Sequence, residues 1–196
     1  MKKIEPKMVE FLDGKLAGNG LAQLAIANKD ARTLFRLAAQ ACVGIREEGG
    51  NNEGPLVELI QETIGGHSKE AWCMAFVQTC LAYAELKTGI TSPVYVSEGC
   101  AQVWSGTDKK QRVKLIPAAG AIVIWGKYDK KGKYLGGHTG IVDHVDGQYF
   151  YPFEGNTTSG ITGKEEVVRD GGGVYYTKRR FAGQGNMKVR GFIKPF

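Results

Sequence analysis

The 196-residue sequence predicts an α+β domain in which N-terminal helices pack on an antiparallel β-sheet. Two observations carry this. Apolar residues recur at helical spacing through the first half, and after residue 120 the sequence turns to short runs of branched and aromatic residues broken by turn signals. Helices first and strands afterwards are the pattern of an α+β chain.

The helices follow in order. A weak amphipathic stretch covers Lys7 to Leu16, and Leu21 to Ala27 continues helically after Asn19-Gly20. These two make residues 1–30 a helical extension, with the main domain over 31–196. Asp30 stands where an N-cap belongs for a stronger helix, Ala31 to Ile45, with Leu34, Leu37, Ala38 and Ala41 on one face. The Gly- and Asn-rich loop 47–54 ends it, and Pro55 opens a short helix running through Ile60 to Ile64. Ala71 to Leu86 is the most apolar segment. Its thin polar stripe is Gln78 and Glu85 with Thr79 beside them, so it belongs in the centre of the domain. Ser68 is an available N-cap for it, but a start nearer Trp72 is expected.

The strands expected are Ala121 to Trp125, His138 to His144, Gln148 to Phe153, Val174 to Lys178 and Lys188 to Ile193. Asp146-Gly147 is a strong hairpin signal between the second and third. Glycine clusters at Gly49-Gly50, Gly136-Gly137 and Gly171-Gly172-Gly173 are expected in loops.

Charge and composition narrow the function classes. The net charge of +6 suits anionic polymers, or simply a basic, soluble surface. The Lys and Arg groups, Lys178-Arg179-Arg180 among them, come with no nucleic-acid fold signature, so no nucleic-acid partner is expected. No run reaches the roughly 18 apolar residues of a membrane span, and stable membrane insertion is not expected. Met1-Lys2-Lys3-Ile4-Glu5-Pro6 leads into a charged stretch, which is not the pattern of a secretory signal. The chain is therefore expected to be made in the cytoplasm and to reach a wall only after release or delivery. The four cysteines, Cys42, Cys73, Cys80 and Cys100, show no zinc spacing, and no metal or cofactor is expected. Cys73 and Cys80 lie two turns apart on one helix, about 10 Å, too far to bridge.

Cysteine hydrolysis needs a thiolate, an imidazole to activate it and a group that fixes the imidazole's tautomer. Cys73, near the start of the buried helix, has the backbone N–H groups and dipole that favour a thiolate. Cys42, Cys80 and Cys100 read as small buried hydrophobes. His138 begins a strand after two glycines and can reach a cleft, while His144, about 20 Å along the same strand, reads as a hairpin-end surface residue. His67 stands just before the helix as a second candidate base. A three-residue loop, Val145-Asp146-Gly147, with Gly147 left-handed would set His144 against Gln148 and His138 against Glu154; a two-residue loop, Asp146-Gly147, would set His138 against Gly155. The chemistry selects the first register.

These residues look familiar together. Ala71-Trp72-Cys73-Met74-Ala75-Phe76-Val77, Gly137-His138-Thr139-Gly140-Ile141-Val142 and Glu154-Gly155-Asn156-Thr157 resemble, in order, the cysteine, histidine and Glu-x-Asn motifs of the CHAP-type cysteine amidases and peptidases, a papain-like, NlpC/P60-like family. The stretches 43–55, 104–106 and 117–121 resemble its phage and bacterial wall-hydrolase members, with Pro117-Ala118-Ala119-Gly120-Ala121 where the family usually has Pro-Gly-Asp. The resemblance covers roughly residues 31–196 and implies a papain-like fold with the nucleophile on the central helix. It implies hydrolysis of an amide in bacterial peptidoglycan, with Cys73 attacking, His138 protonating the departing amine, and Glu154 or Asn156 accepting the imidazole N–H. Trp72, Trp104 and Tyr151, with Tyr95, would line a muropeptide cleft. Missing signal, small size and basic charge suit a monomeric endolysin-like enzyme. The other readings are an effector toxin paired with an immunity protein, and an inactive wall-binding module.

Overall fold

A computed structural model describes residues 3–158, 172–183 and 185–196. Four helices come first: α1 (Pro6–Leu16), α2 (Gly20–Ala27), α3 (Ala31–Ala41) and α4 (Pro55–Glu62). Each start has a local cause. Pro6 and Pro55 occupy first-turn positions where no N–H is needed, and the side chains of Asn19 and Asp30 accept from Ala22 N and Thr33 N, both at 3.0 Å. The α3 helix stops at Ala41, short of the expected Ile45, because Cys42 to Ile45 turn to meet the sheet: Gly44 N and Ile45 O bond Val174 O and Val174 N.

The central helix α5 (Cys73–Thr88) is buried almost all round, and Gly89 ends it in the left-handed conformation at φ 72°. A further short helix, α6 (Cys100–Gly106), and a 3₁₀ turn at Lys109–Gln111 follow, neither signalled by sequence periodicity. The described strands are β1 (Arg112–Val113), β2 (Ile122–Tyr128), β3 (Tyr134–Asp146), β4 (Tyr149–Thr157), β5 (Gly173–Tyr176), β6 (Arg179–Arg180) and β7 (Met187–Ile193). They form one sheet in the order β1-β7-β2-β3-β4-β5, with β6 also pairing β4; every pairing is antiparallel.

The sheet buries apolar residues on both faces, which is why β2 reads as an unbroken apolar run. Ile122 and Ile124 join the main core under α5, while Ala121, Val123 and Trp125 pack with Val142, Phe150, Met187 and Phe192 in a second cluster. Met8, Leu12 and Leu16 of α1 and Ala22 and Ala25 of α2 lie in the main core too, so residues 1–30 pack into the same body as the rest. No described helix is long and apolar enough to cross a membrane.

Two sequence expectations need correction. Gly136-Gly137 lies within β3, not in a loop. A Cβ on Gly137 would stand 2.6 Å from Tyr134 Oη and 2.8 Å from Cys100 Cβ, so glycine here admits α6 and Tyr134 against the strand. Of the Gly171-Gly172-Gly173 cluster, Gly171 lies outside the described residues, and Gly173 starts β5.

The second correction is the β3–β4 register. Asp146 pairs with Tyr149, so the loop is Gly147-Gln148, with Gly147 left-handed at φ 57°. Glycine takes the first loop position rather than the second, which keeps Asp146 in the ladder. His144 pairs with Tyr151; the register then shifts at Asp143, and Val142 pairs with Pro152 and Ile141 with Phe153. Counting on from there sets Glu154 against Gly140 and His138 against Asn156, neither of the two registers weighed from sequence.

Candidate active site

Cys73 is the first residue of α5, and Trp72 caps the helix without a side-chain bond. The first-turn N–H groups at the Cys73 end therefore lack an intrahelical partner and carry the positive end of the helix dipole. The thiol is unbridged and 5 % exposed.

His138 comes from β3. It pairs with Trp125 across the β2–β3 ladder, and the two rings stack with centroids 5.5 Å apart. Nε2 bonds Glu154 Oε2 at 2.8 Å, with both side chains fully buried. The Cys73 thiol stands near enough to act on the ring as a hydrogen-bond partner and as a charge, although Nδ1 itself makes no fully formed bond. Such pairs are commonly loose in unliganded enzymes and tighten around substrate.

The Glu154 side chain reaches His138 diagonally, across Gly140. A Cβ on Gly140 would lie 2.8 Å from Glu154 Cγ and 2.8 Å from Phe153 O. Glycine at 140 is the gap through which the carboxylate passes.

Electrostatics follow from burial and partners. Burial pushes the His138 pKa down, but the Cys73 and Glu154 contacts outweigh it and hold it at about 9, up from 6.5. Burial likewise raises Glu154, but the Arg179 charge and the His138 contact hold it at about 2, down from 4.5. Arg179 donates from Nε to Glu154 Oε1 at 2.7 Å and from Nη2 to Oε2 at 3.0 Å, and Thr177 Oγ1 also donates to Oε1. Glu154 is thus an anion with four donors.

Arg179, Thr177 and Gly140 escaped the sequence reading. Arg179 sits in a Lys-Arg-Arg group that looks like a basic surface, yet it is 1 % exposed. Burial alternates with period two here, Thr177 and Arg179 inside and Lys178 and Arg180 exposed, but the residue types Thr-Lys-Arg-Arg do not show it.

The remaining sequence candidates lie elsewhere. His138 Nε2 is held by Glu154, while Asn156 Nδ2 donates to Asn52 Oδ1 at 3.1 Å. Asn52 in turn donates to Lys69 O, and Gln61 holds Asn52 O and Glu70 O. Asn156 thereby anchors the turn that leads into Cys73. Burial corrects the cleft-lining expectation for Trp72 and Trp104. Trp72 is fully buried, donating from Nε1 to Glu47 Oε1 at 2.9 Å. Trp104 is 6 % exposed and flanked by Arg112 and Arg190. Tyr151 stacks on His144 at the far end of β3, with centroids 4.4 Å apart. Their large apolar surfaces serve packing. Tyr95 is half exposed. His67 is exposed before α5, its backbone N–H bonded to Glu70. A groove lined by Glu70, Ala71, Ser97, Glu98, Gly99 and Gln102 opens beside the entry to α5.

A thiol at a helix mouth, an imidazole on a strand and a Glu-x-Asn segment on the next strand place three motifs in one site, in chain order. The sequence model of the CHAP domain matches residues 65–156, a little under half of the chain. That span is similar to a CHAP domain, consistent with a CHAP-type amidase or peptidase. The matched span runs from the turn before α5 to Asn156 and holds Cys73, His138 and Glu154, while α1–α4 and the strands from β5 onward lie outside it. The helices and antiparallel sheet are an α+β fold compatible with a papain-like CHAP domain. No curated protein and no solved structure matched the chain. A CHAP domain points to peptidoglycan hydrolase chemistry of the amidase or peptidase kind.

Proposed function

We propose that this protein is a cysteine peptidoglycan hydrolase, endolysin-like in kind, that cleaves an amide bond of the bacterial wall. The observation that carries the reading is the buried His138, bonded at Nε2 to Glu154 and interacting with the Cys73 thiol. An imidazole whose proton is favoured, next to a thiol at a helix N-terminus, is one half of a thiolate–imidazolium pair.

The thiolate would attack an amide carbonyl lying in the groove beside Ala71. N–H groups of the first turn of α5 would receive the developing oxyanion. His138 would give its Nδ1 proton to the departing amine, and water would then release the acyl group. Glu154, anionic throughout, would hold Nε2–H and so keep Nδ1 as the working nitrogen. The net charge of +6 favours residence on an anionic wall after release or delivery to it.

The test is turbidity loss and fragment mass spectrometry on purified peptidoglycan. Wild type is expected to release muropeptide fragments and Cys73→Ala to release none above background. Equal clearing by both proteins sinks the reading. The fragment masses identify the bond, whether at the sugar–peptide amide, within the stem or in a crossbridge.

A further inference from the structure

Resting on that reading, we infer that Arg179 is a positioning residue of the site, the fixed positive charge that lets Cys73, His138 and Glu154 all be ionised together inside the protein. The residue lies outside the CHAP match, on β6, a strand held against β4 through Tyr149–Arg180 and Phe150–Arg179. It is among the largest fully buried side chains in the protein. A buried guanidinium with two of its nitrogens on one carboxylate is a strong, directional pairing.

The charges of the site balance only when Arg179 is counted. Among the described residues, the titratable and charged groups facing the Glu154 carboxyl are His138 from β3 and Arg179 from β6, and Cys73 of α5 faces His138 in turn. With Arg179 and His138 positive and Glu154 and Cys73 negative, the four sum to zero. Removing the guanidinium leaves a site that is neutral only if one more proton is bound. The thiol is a ready acceptor, because Glu154 and His138 neutralise each other through their own hydrogen bond. An uncompensated charge in a desolvated site is costly, so the proton goes on. The family's three motifs would thus be present, and the nucleophile protonated, without a residue from beyond the family's span.

Geometry gives Arg179 a second effect on the same atoms. It saturates both Glu154 oxygens, with Thr177 sharing Oε1 and His138 sharing Oε2. The carboxylate then has one orientation, and Nε2–H has one acceptor.

The experiment reads the thiol directly. Cys73 is alkylated with iodoacetamide across pH 4–9 and quantified by mass spectrometry of its peptide, for wild type, Arg179→Gln, Arg179→Lys and Glu154→Gln, each checked for fold by circular dichroism. Arg179→Gln is expected to move the acid limb of the profile upward by a pH unit or more, so that alkylation near pH 6 falls at least about tenfold. Arg179→Lys, which keeps the charge and loses the fork, is expected to stay closer to wild type than Arg179→Gln. Glu154→Gln is expected to leave the acid limb at or below its wild-type position, because Arg179 and the thiolate still balance, while wall cleavage is lost. A folded Arg179→Gln protein with an unmoved limb overturns the inference. If Arg179→Gln does not fold, Glu154→Gln decides: an upward shift there means that Glu154 supports the thiolate through the imidazolium alone, and the charge balance fails. Cleavage by Cys73→Ala would remove the functional reading instead, an outcome that the alkylation profile does not share.

Discussion

His138 and His144 lie six residues apart on one strand, each hydrogen-bonded to a carboxylate and each stacked on an aromatic ring. By residue type and partner they are alike. His144, with half of its side chain exposed, shares Asp143 with Arg36 and Tyr176 in a network at the hairpin end. His138 is fully buried, its carboxylate is fixed by Arg179, and a thiol interacts with it. A histidine–carboxylate pair is therefore no mark of chemistry in itself. What separates the two is exclusion of water, which strengthens every charge interaction, and a nucleophile within reach.

The sharpest way to break this comparison is to remove each imidazole. His138→Ala is expected to lower wall hydrolysis by roughly 10³-fold or more, and His144→Ala by less than about twofold, both read as initial clearing rates. Equal losses would make the contrast empty. Gly140→Ala probes the gap that only the His138 end possesses. The added methyl meets Glu154 Cγ and Phe153 O, and is expected to cost about 1–3 kcal/mol in chemical denaturation and roughly tenfold in rate. Asn52→Ala removes the anchor that joins Asn156 to the turn before Cys73. It is expected to cost about 1–3 kcal/mol, with a several-fold loss of rate and an unmoved Cys73 alkylation profile, because the imidazole keeps its own partners.

The smallest effect is on stability against pH. The folded-state pKa of His138 is raised, so its contribution is complete below its ordinary 6.5 and is lost as pH climbs through about 9. Glu154 is depressed, so its contribution is complete above its ordinary 4.5 and fades as pH falls toward about 2. Melting temperature should therefore be highest between about pH 4.5 and 6.5. Glu154→Gln should flatten the acid side, and His144→Ala should leave both sides as they are.

Much of the fold was legible because local rules hold along most of this chain. Asp30 and Pro55 set helix starts where a cap and a proline predict. The α6 helix and the two-residue strands β1 and β6 were not legible, since elements that short do not repeat their period often enough to stand out. The hairpin was legible as a turn but not in its register. A single left-handed glycine fits either loop position, and the extra residue at Asp143 is set by packing on both faces.

By itself the sequence determined the α+β order, the thiol at the mouth of the buried helix, and the strand carrying its imidazole, because each depends on neighbours a few residues away. Only the tertiary structure decided that Glu154 bonds the imidazole, that Trp72 and Trp104 are buried, and that Arg179 lies inside. Those outcomes turn on which distant strands share a register and what they exclude from water, and no periodicity within one segment carries that information.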